Sequence, residues 1–340
     1  MTAPARLRLD GAALVENWRA LARMSGTAAC GAAVKADGYG LGAREVVQRL
    51  AAAGCRNFFV ATWAEAASLA DLGVPLAVLH GVRAADLPLT GHHARPVLNS
   101  TAQVQRWREA GQGACDVMVD TGMNRLGISL EDVAAGLLDG LTIDTLMSHL
   151  ACADEDAAMN AGQRAALQSL AGRTSARRLS LANSAGIALG PDYSFDLTRP
   201  GLALYGGVPR AKLAAMIRPV VTIEAEVLQR RHVPAGARVG YNATWIATRD
   251  SQVAVVNLGY ADGYRRAFSD RGTAFAGDRA LPVIGRVSMD LTAIDITGVE
   301  VGEGDWLAFD PDLARASAAS GVSQYELLTG LGHRFDQVWM

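Results

Sequence analysis

At 340 residues, half of them hydrophobic and 19% charged, the chain is long enough for two domains or for one barrel with an appendage, and too apolar for extended disorder. The formal net charge is -2 and the basic residues are spread along the chain, which argues against a nucleic-acid surface with its concentrated positive field. Cys30, Cys55, Cys115 and Cys152 have no C-x-x-C spacing and are too few for a disulfide framework. Residues 1–10 hold no signal-like apolar run, and no stretch reaches the ~20 apolar residues of a membrane span. A soluble, cytoplasmic protein with reduced thiols and no bound metal is expected.

The first ~210 residues alternate short apolar runs with amphipathic, Ala-rich stretches. Strands are expected at 30–34, 57–62, 76–80, 96–98, 116–120, 143–148, 178–182 and around 202–205. Helical patterns lie between them, among them 44–53, 64–72 and 156–171. Eight strands alternating with helices form the (β/α)8 barrel pattern of the α/β class. After Arg218-Pro219 helical periodicity fades, and β-type segments follow at 220–228, 238–247, 252–258, 281–284 and 291–296. Turn residues such as Pro234-Ala235-Gly236 and Ala261-Asp262-Gly263 separate them. The expected division is a barrel over 1–215 and a C-terminal all-β domain over 216–340, with the first few residues able to join the second.

In a parallel barrel, functional side chains sit at the C-terminal ends of strands. Those ends carry Lys35, Asp120 to Arg125, Ser148-His149, Asn183-Ser184 and Arg199-Pro200-Gly201. One lysine, two arginines and a histidine beside small residues suit an anionic, phosphate-bearing ligand with an aldehyde to be captured. Apolar residues precede Lys35 and a glycine-rich turn follows it; burial of that kind lowers a lysine's pKa and frees the amine for Schiff-base chemistry. The plainer reading is a strand-end lysine reaching solvent. A third reading comes from Gly38-Tyr39-Gly40-Leu41-Gly42-Ala43, which matches the weak G-x-G-x-x-A fingerprint of an NAD-dependent oxidoreductase. No acidic residue ends the next strand, where ribose recognition needs one.

Ala33 to Gly40 (AVKADGYG) resembles the cofactor-lysine motif of the alanine racemases, pyridoxal-phosphate enzymes of fold type III. Asp120-Thr121-Gly122-Met123-Asn124-Arg125-Leu126-Gly127 is similar to that family's second motif, and the segment from Arg199-Pro200-Gly201-Leu202 to Gly206 to its cofactor-ring segment. Gly259-Tyr260-Ala261-Asp262-Gly263, Gly285-Arg286-Val287-Ser288-Met289-Asp290 and Tyr325-Glu326-Leu327-Leu328-Thr329 resemble its C-terminal motifs. The resemblance runs in order along nearly the whole chain. It implies a barrel followed by a β-domain, pyridoxal 5′-phosphate as cofactor, and racemisation of L- and D-alanine to supply D-alanine for peptidoglycan. Serine or broad-spectrum racemisation is the alternative on the same scaffold.

Racemisation removes a proton from one face of Cα and delivers one to the other, which two opposed bases accomplish. The resemblance implies Lys35 for the D-enantiomer and Tyr260 for the L-enantiomer. A phenol has an ordinary pKa near 10, so a tyrosine base needs cationic neighbours, and the resemblance offers His149 and Arg199. It places Arg199 at the pyridine nitrogen, where a permanent donor keeps that nitrogen unprotonated. Tyr39, Ser184, the backbone N–H groups of Gly201 and Leu202, and Tyr325 are implied as the phosphate cradle; Ser184 alone reads as a helix N-cap. Arg125 and Met289 are implied for the substrate carboxylate. A homodimer with composite sites also follows from the resemblance, with Tyr260 and Met289 acting in trans and Tyr264 a further candidate. Two positions depart from the family pattern. Met118 stands where many members carry a lysine, often carbamylated, that steadies the substrate-binding arginine, so Arg125 is expected to be oriented by another acid, a bound anion or water. Ser288 replaces a common cysteine.

Overall fold

The computed structural model describes residues 3–90, 94–111 and 113–340. The chain divides into two compact units: one holds 14–204 and 208–217, the other 1–13, 205–207 and 218–340.

The first unit is a parallel barrel. Its strands are Ala29–Cys30 continued by Ala32–Ala33, then Phe58–Val60, Leu76–Val78, Ala94–Leu98, Cys115–Met118, Ile143–Met147, Arg178–Ser180 and Leu197–Thr198. The first strand is split by Gly31. Its first half pairs with the last strand (Leu197 opposite Ala29) and its second with the next (Ala32 opposite Phe58), which closes the barrel. A Cβ on Gly31 would stand 2.8 Å from the carbonyl oxygen of Asn57, so the crossover admits only glycine.

The helices follow the sequence pattern closely: Ala43–Ala53, Trp63–Ser68 with a 3-10 turn at Ala70–Leu72, and Ala158–Gln168. The eighth strand does not. It lies at Leu197–Thr198, while Leu202–Tyr205 is a buried 3-10 turn. A short apolar run is compatible with either state, and Leu-Ala-Leu-Tyr has no β-branched residue to favour the strand.

Charge is sorted along the barrel. Near the N-terminal strand ends, Arg95 pairs with Asp144 at 2.9 Å and with Asp116 at 3.6 Å, and Arg178 also reaches Asp144. Acids and arginines balance there, although burial pushes the Asp116 carboxyl up to about 6.

The second unit is antiparallel. Val221–Val233, Ser251–Val256, Thr292–Asp295, Arg279–Ile284, Thr273–Ala276 and Trp306–Phe309 pair in a ring that returns to the long first strand. Ala5–Leu9 lies antiparallel to that strand and parallel to Asp336–Trp339. The stretch 238–247 is two short strands around a 3-10 turn, and helices Leu313–Ser320 and Gln324–Thr329 precede the last strand.

Candidate active site

The backbone after the first barrel strand turns left-handed. Ala36, Asp37, Gly38 and Tyr39 all have φ between 51° and 62°. For a residue with a Cβ this conformation costs roughly 1–2 kcal/mol, so the turn needs outside support. It has three clamps: Ala36 N–H donates to Glu65 Oε1 at 2.9 Å, Ala43 N–H to Asp37 Oδ1 at 2.8 Å, and Gly42 N–H to the Asp37 carbonyl at 2.9 Å. Lys35 stands at the start of this turn. Burial holds its ammonium below the usual lysine range, Arg125 adds to the effect, and Glu65 opposes it.

Arg125 comes from the loop 120–127. Asp120 N–H and Ile128 N–H close the base of that loop on the carbonyls of Ile128 and Met118, each at 2.9 Å. Asp120 Oδ1 accepts the N–H groups of Gly122 and Asn124, an Asx turn that shapes the tip. The Arg125 side chain is exposed, and among the described residues it makes no hydrogen bond or ion pair. The buried Gln163 joins this loop to the next strand end by donating to Thr121 Oγ1 at 3.3 Å and to the His149 carbonyl at 2.9 Å.

His149 is surrounded by positive charge. Burial first, then Arg199, Arg125 and Lys35, push its imidazole down to about 3, so it is neutral at physiological pH. Arg199 is fully packed inside the barrel; it donates to Ser180 Oγ and, at 2.6 Å, to the carbonyl of Ser148. Burial lowers its guanidinium to about 10, against the opposing pull of Asp116, and it remains a cation. No direct hydrogen bond joins Arg199 to His149 among the described residues.

Ser184 is not the N-cap of its helix. Asn183 holds that position, accepting the N–H of Gly186 at 2.9 Å. Ser184 Oγ instead accepts the N–H groups of Gly201 (3.0 Å) and Ala203 (3.2 Å), joining the seventh strand end to the eighth. The Leu202 N–H makes no such bond within the described chain. A Cβ on Gly201 would come within 2.2 Å of the Tyr39 hydroxyl, so glycine alone lets these two motifs meet. Lys35, Tyr39, Arg125, His149, Ser184, Arg199, Gly201 and Leu202 thus all occupy C-terminal strand ends of one barrel.

In the second unit, two motif loops lock together. Tyr260 N–H donates to the Ser288 carbonyl at 3.0 Å and Ala261 N–H to the Met289 carbonyl at 2.9 Å. Gly259 packs so closely that a Cβ would stand 2.2 Å from the Met289 carbonyl oxygen. Arg334 spans both loops, donating to the buried Asp262 at 2.7 Å and to Asp290 at 2.8 Å. Tyr260, Met289 and Tyr325 have exposed side chains.

Tyr264 does not. It is 5% exposed, stacks on Phe268 at 4.5 Å and meets Phe309 edge-on, so it is a core residue of its own unit and not a candidate for action in trans. Sequence reasoning missed Glu65, Gln163, Ser180 and Arg334, which act on backbone groups or on other side chains. Only Glu65 left a local signal, the capping box Thr62-x-x-Glu65, which reads as an ordinary helix start.

The chain matches the alanine racemase N-terminal domain over residues 9–209 and the alanine racemase C-terminal domain over 220–339. It is 43% identical to an alanine racemase of Acidiphilium cryptum, with 98% of each chain covered, and 45% identical to one of Jannaschia sp., with 97% of each covered. Its fold superposes on the crystal structure of alanine racemase from Bartonella henselae with covalently bound pyridoxal phosphate at a TM-score of 0.91, 34% identity and 99% coverage of both chains. Both family domains are matched, in order, along nearly the full length, and on that ground this chain belongs to the alanine racemases, the pyridoxal-phosphate-dependent isomerases of alanine.

Proposed function

We propose that this chain interconverts L- and D-alanine with Lys35 and Tyr260 as the two bases, and that the D-alanine supplies peptidoglycan. One observation carries the assignment of Lys35. Lys35 stands half-buried at the barrel mouth, directly before the clamped left-handed turn, with a lowered proton affinity and among cations that suit an anionic cofactor.

The residues present fit pyridoxal 5′-phosphate. The mouth gathers Lys35, Arg125 and Arg199 around a neutral His149, and Gly201 lets the Tyr39 hydroxyl pack against its backbone where a Cβ would collide. Lys35 would hold the cofactor covalently, Arg199 would face its ring, and Tyr39, Ser184, Gly201, Leu202 and Tyr325 would hold its phosphate. When bound, the cofactor acidifies the substrate Cα–H by delocalising the electron pair left behind.

Lys35 Nζ, whose proton affinity burial lowers, takes or returns the proton on one face of Cα. Tyr260 Oη does so on the other. Of the two neighbours that the resemblance implies for Tyr260, Arg199 is a cation and His149 is neutral, so His149 can only donate or accept a hydrogen bond. Arg125, unpaired within the described chain, is available for the substrate carboxylate. The exposure of Tyr260 and Met289 supports a homodimer in which each β-domain completes the partner's barrel mouth. The functional division proposed is 1–215 and 216–340, with the first residues joining the second. A cytoplasmic location is part of the same reading; no helix among the described residues is long and apolar enough to cross a membrane.

The deciding experiment is incubation of the purified protein with L-alanine in deuterated water. Loss of optical rotation with deuterium at Cα supports racemisation. Carbon dioxide release, or no exchange, sinks it.

A further inference from the structure

We propose that Glu65 is a positioning residue for the proton chemistry of Lys35: its carboxylate anchors the left-handed turn on which Lys35 and Tyr39 stand. The inference rests on the reading of Lys35 as the cofactor lysine.

The geometry is two-sided. Oε2 accepts the N–H of Ala61 at 2.6 Å and that of Thr62 at 3.3 Å, fixing the carboxylate at the second strand end and at the head of helix Trp63–Ser68. Oε1 is thereby aimed at the Ala36 N–H, 2.9 Å away, on the residue directly after Lys35. One side chain therefore couples the first two strand ends of the barrel. A helix cap needs only the N–H bonds at its own end; the bond to Ala36 goes to a different element, and to a residue held at φ 53° against its preference. The left-handed run from Ala36 to Tyr39 extends from this bond, and Tyr39 ends it with its hydroxyl against Gly201.

Charge adds a second effect. The groups that face Lys35 are Arg125 on the loop after the fifth strand, His149 after the sixth, and Glu65 after the second. His149 is neutral and Arg125 repels the ammonium, so Glu65 is the acid acting on it. Burial and Arg125 both weaken Lys35 as a base for proton removal from Cα, and Glu65 opposes them. Glutamine keeps the shape but has one acceptor oxygen, so it cannot serve both strand ends, and it carries no charge.

The test reads Lys35 directly. In the full-length cofactor-free protein, the rate of reductive methylation of Lys35, followed by peptide mass spectrometry, is measured against pH. Glu65→Gln is expected to lower the midpoint by about one pH unit and to weaken cofactor affinity about tenfold by equilibrium dialysis. Glu65→Asp, which keeps the charge but withdraws it by one methylene, is expected to retain the midpoint and still hold the cofactor more weakly. Thr62→Ala, which breaks the cap alone, is expected to lower the melting temperature and leave the Lys35 midpoint in place. A Glu65→Gln midpoint equal to that of the parent overturns the proposal, as does parental cofactor affinity in Glu65→Asp. Failure of the underlying reading looks different: Lys35→Ala would then retain covalently bound cofactor.

Discussion

Arg199 donates to the carbonyl oxygen of Ser148 across 2.6 Å, in the interior of the barrel, and its other bond goes to Ser180 Oγ. The guanidinium is therefore aimed by the ends of two other strands, the sixth and the seventh. Lysine at this position would keep the charge and lose the planar fork. Arg199→Lys is expected to destabilise the protein by roughly 1–3 kcal/mol, because buried acceptors lose a charged donor. A urea unfolding curve measures this; an unchanged midpoint would show that the two bonds contribute little.

The two proposed bases should fail differently. Lys35→Ala removes the amine and should abolish the absorbance of covalently held cofactor. Tyr260→Phe keeps the ring and the loop bonds to Ser288 and Met289, which are made by backbone atoms. It should retain the absorbance and lose turnover by about 10²–10⁴-fold, the usual contribution of a positioned base. A fully active Tyr260→Phe rejects the second base.

Tyr264, four residues on, is expected to behave in the opposite way. Its hydroxyl is buried beside a cavity of about 80 Å³ and has no hydrogen-bond partner among the described residues. Removing an unsatisfied buried hydroxyl loses nothing and can relieve desolvation. Tyr264→Phe should change stability by less than ~1 kcal/mol and leave turnover intact. A melting curve and an initial rate suffice, and a loss of several kcal/mol would mean that ordered water satisfies the hydroxyl.

Much of this was legible in the sequence because the chemistry resides in uncommon residue types at strand ends. Lys35, Arg125, His149 and Arg199 announce themselves as polar side chains where apolar runs stop. The residues that hold them do not. Gln163, Ser180 and Glu65 are ordinary helix or strand residues, and only the closed barrel shows that they reach across to a neighbouring strand end. Fold legibility has the same limit. The alternation of strands and helices is local and was readable, whereas the pairing of Ala5–Leu9 with Asp336–Trp339 joins the two ends of the chain and leaves no local pattern. Leu202–Tyr205 departs for another reason: a short apolar run is compatible with burial in either state, and burial does not select strand over turn.

Met118 leaves Arg125 without a lysine carbamate, and the structure supplies no acid in its place among the described residues. Of the orienting groups expected for this arginine, an anion or water remains. Withdrawal of chloride is expected to raise KM for alanine with a smaller effect on kcat, since Arg125 is proposed to bind the substrate carboxylate. Met118→Lys should weaken that dependence. Complete indifference of the parent enzyme to chloride rejects the anion version.

Two buried groups pull the acid stability of the barrel in opposite directions. His149, held near 3, stays neutral in the folded chain, while the unfolded chain takes up a proton below its ordinary value of 6.5. Its contribution is therefore complete above about pH 6.5 and is lost as pH falls toward 3. Asp116 has the reverse sign. Its carboxyl is raised from 3.8 to about 6, so the folded chain binds the extra proton and stability declines as pH rises through that window. The parent curve between pH 4 and 6 is a difference of the two, and single variants separate them. In the cofactor-free chain, His149→Gln should leave a stability that falls with rising pH over that interval, because of these two groups only Asp116 remains, and the carboxyls held low contribute mainly below it. Asp116→Asn, which can still accept the Thr145 N–H, should leave one that rises. Parallel urea titrations of both variants at pH 4, 5 and 6 check the signs, and equal slopes in the two variants would exclude this assignment of the buried protons.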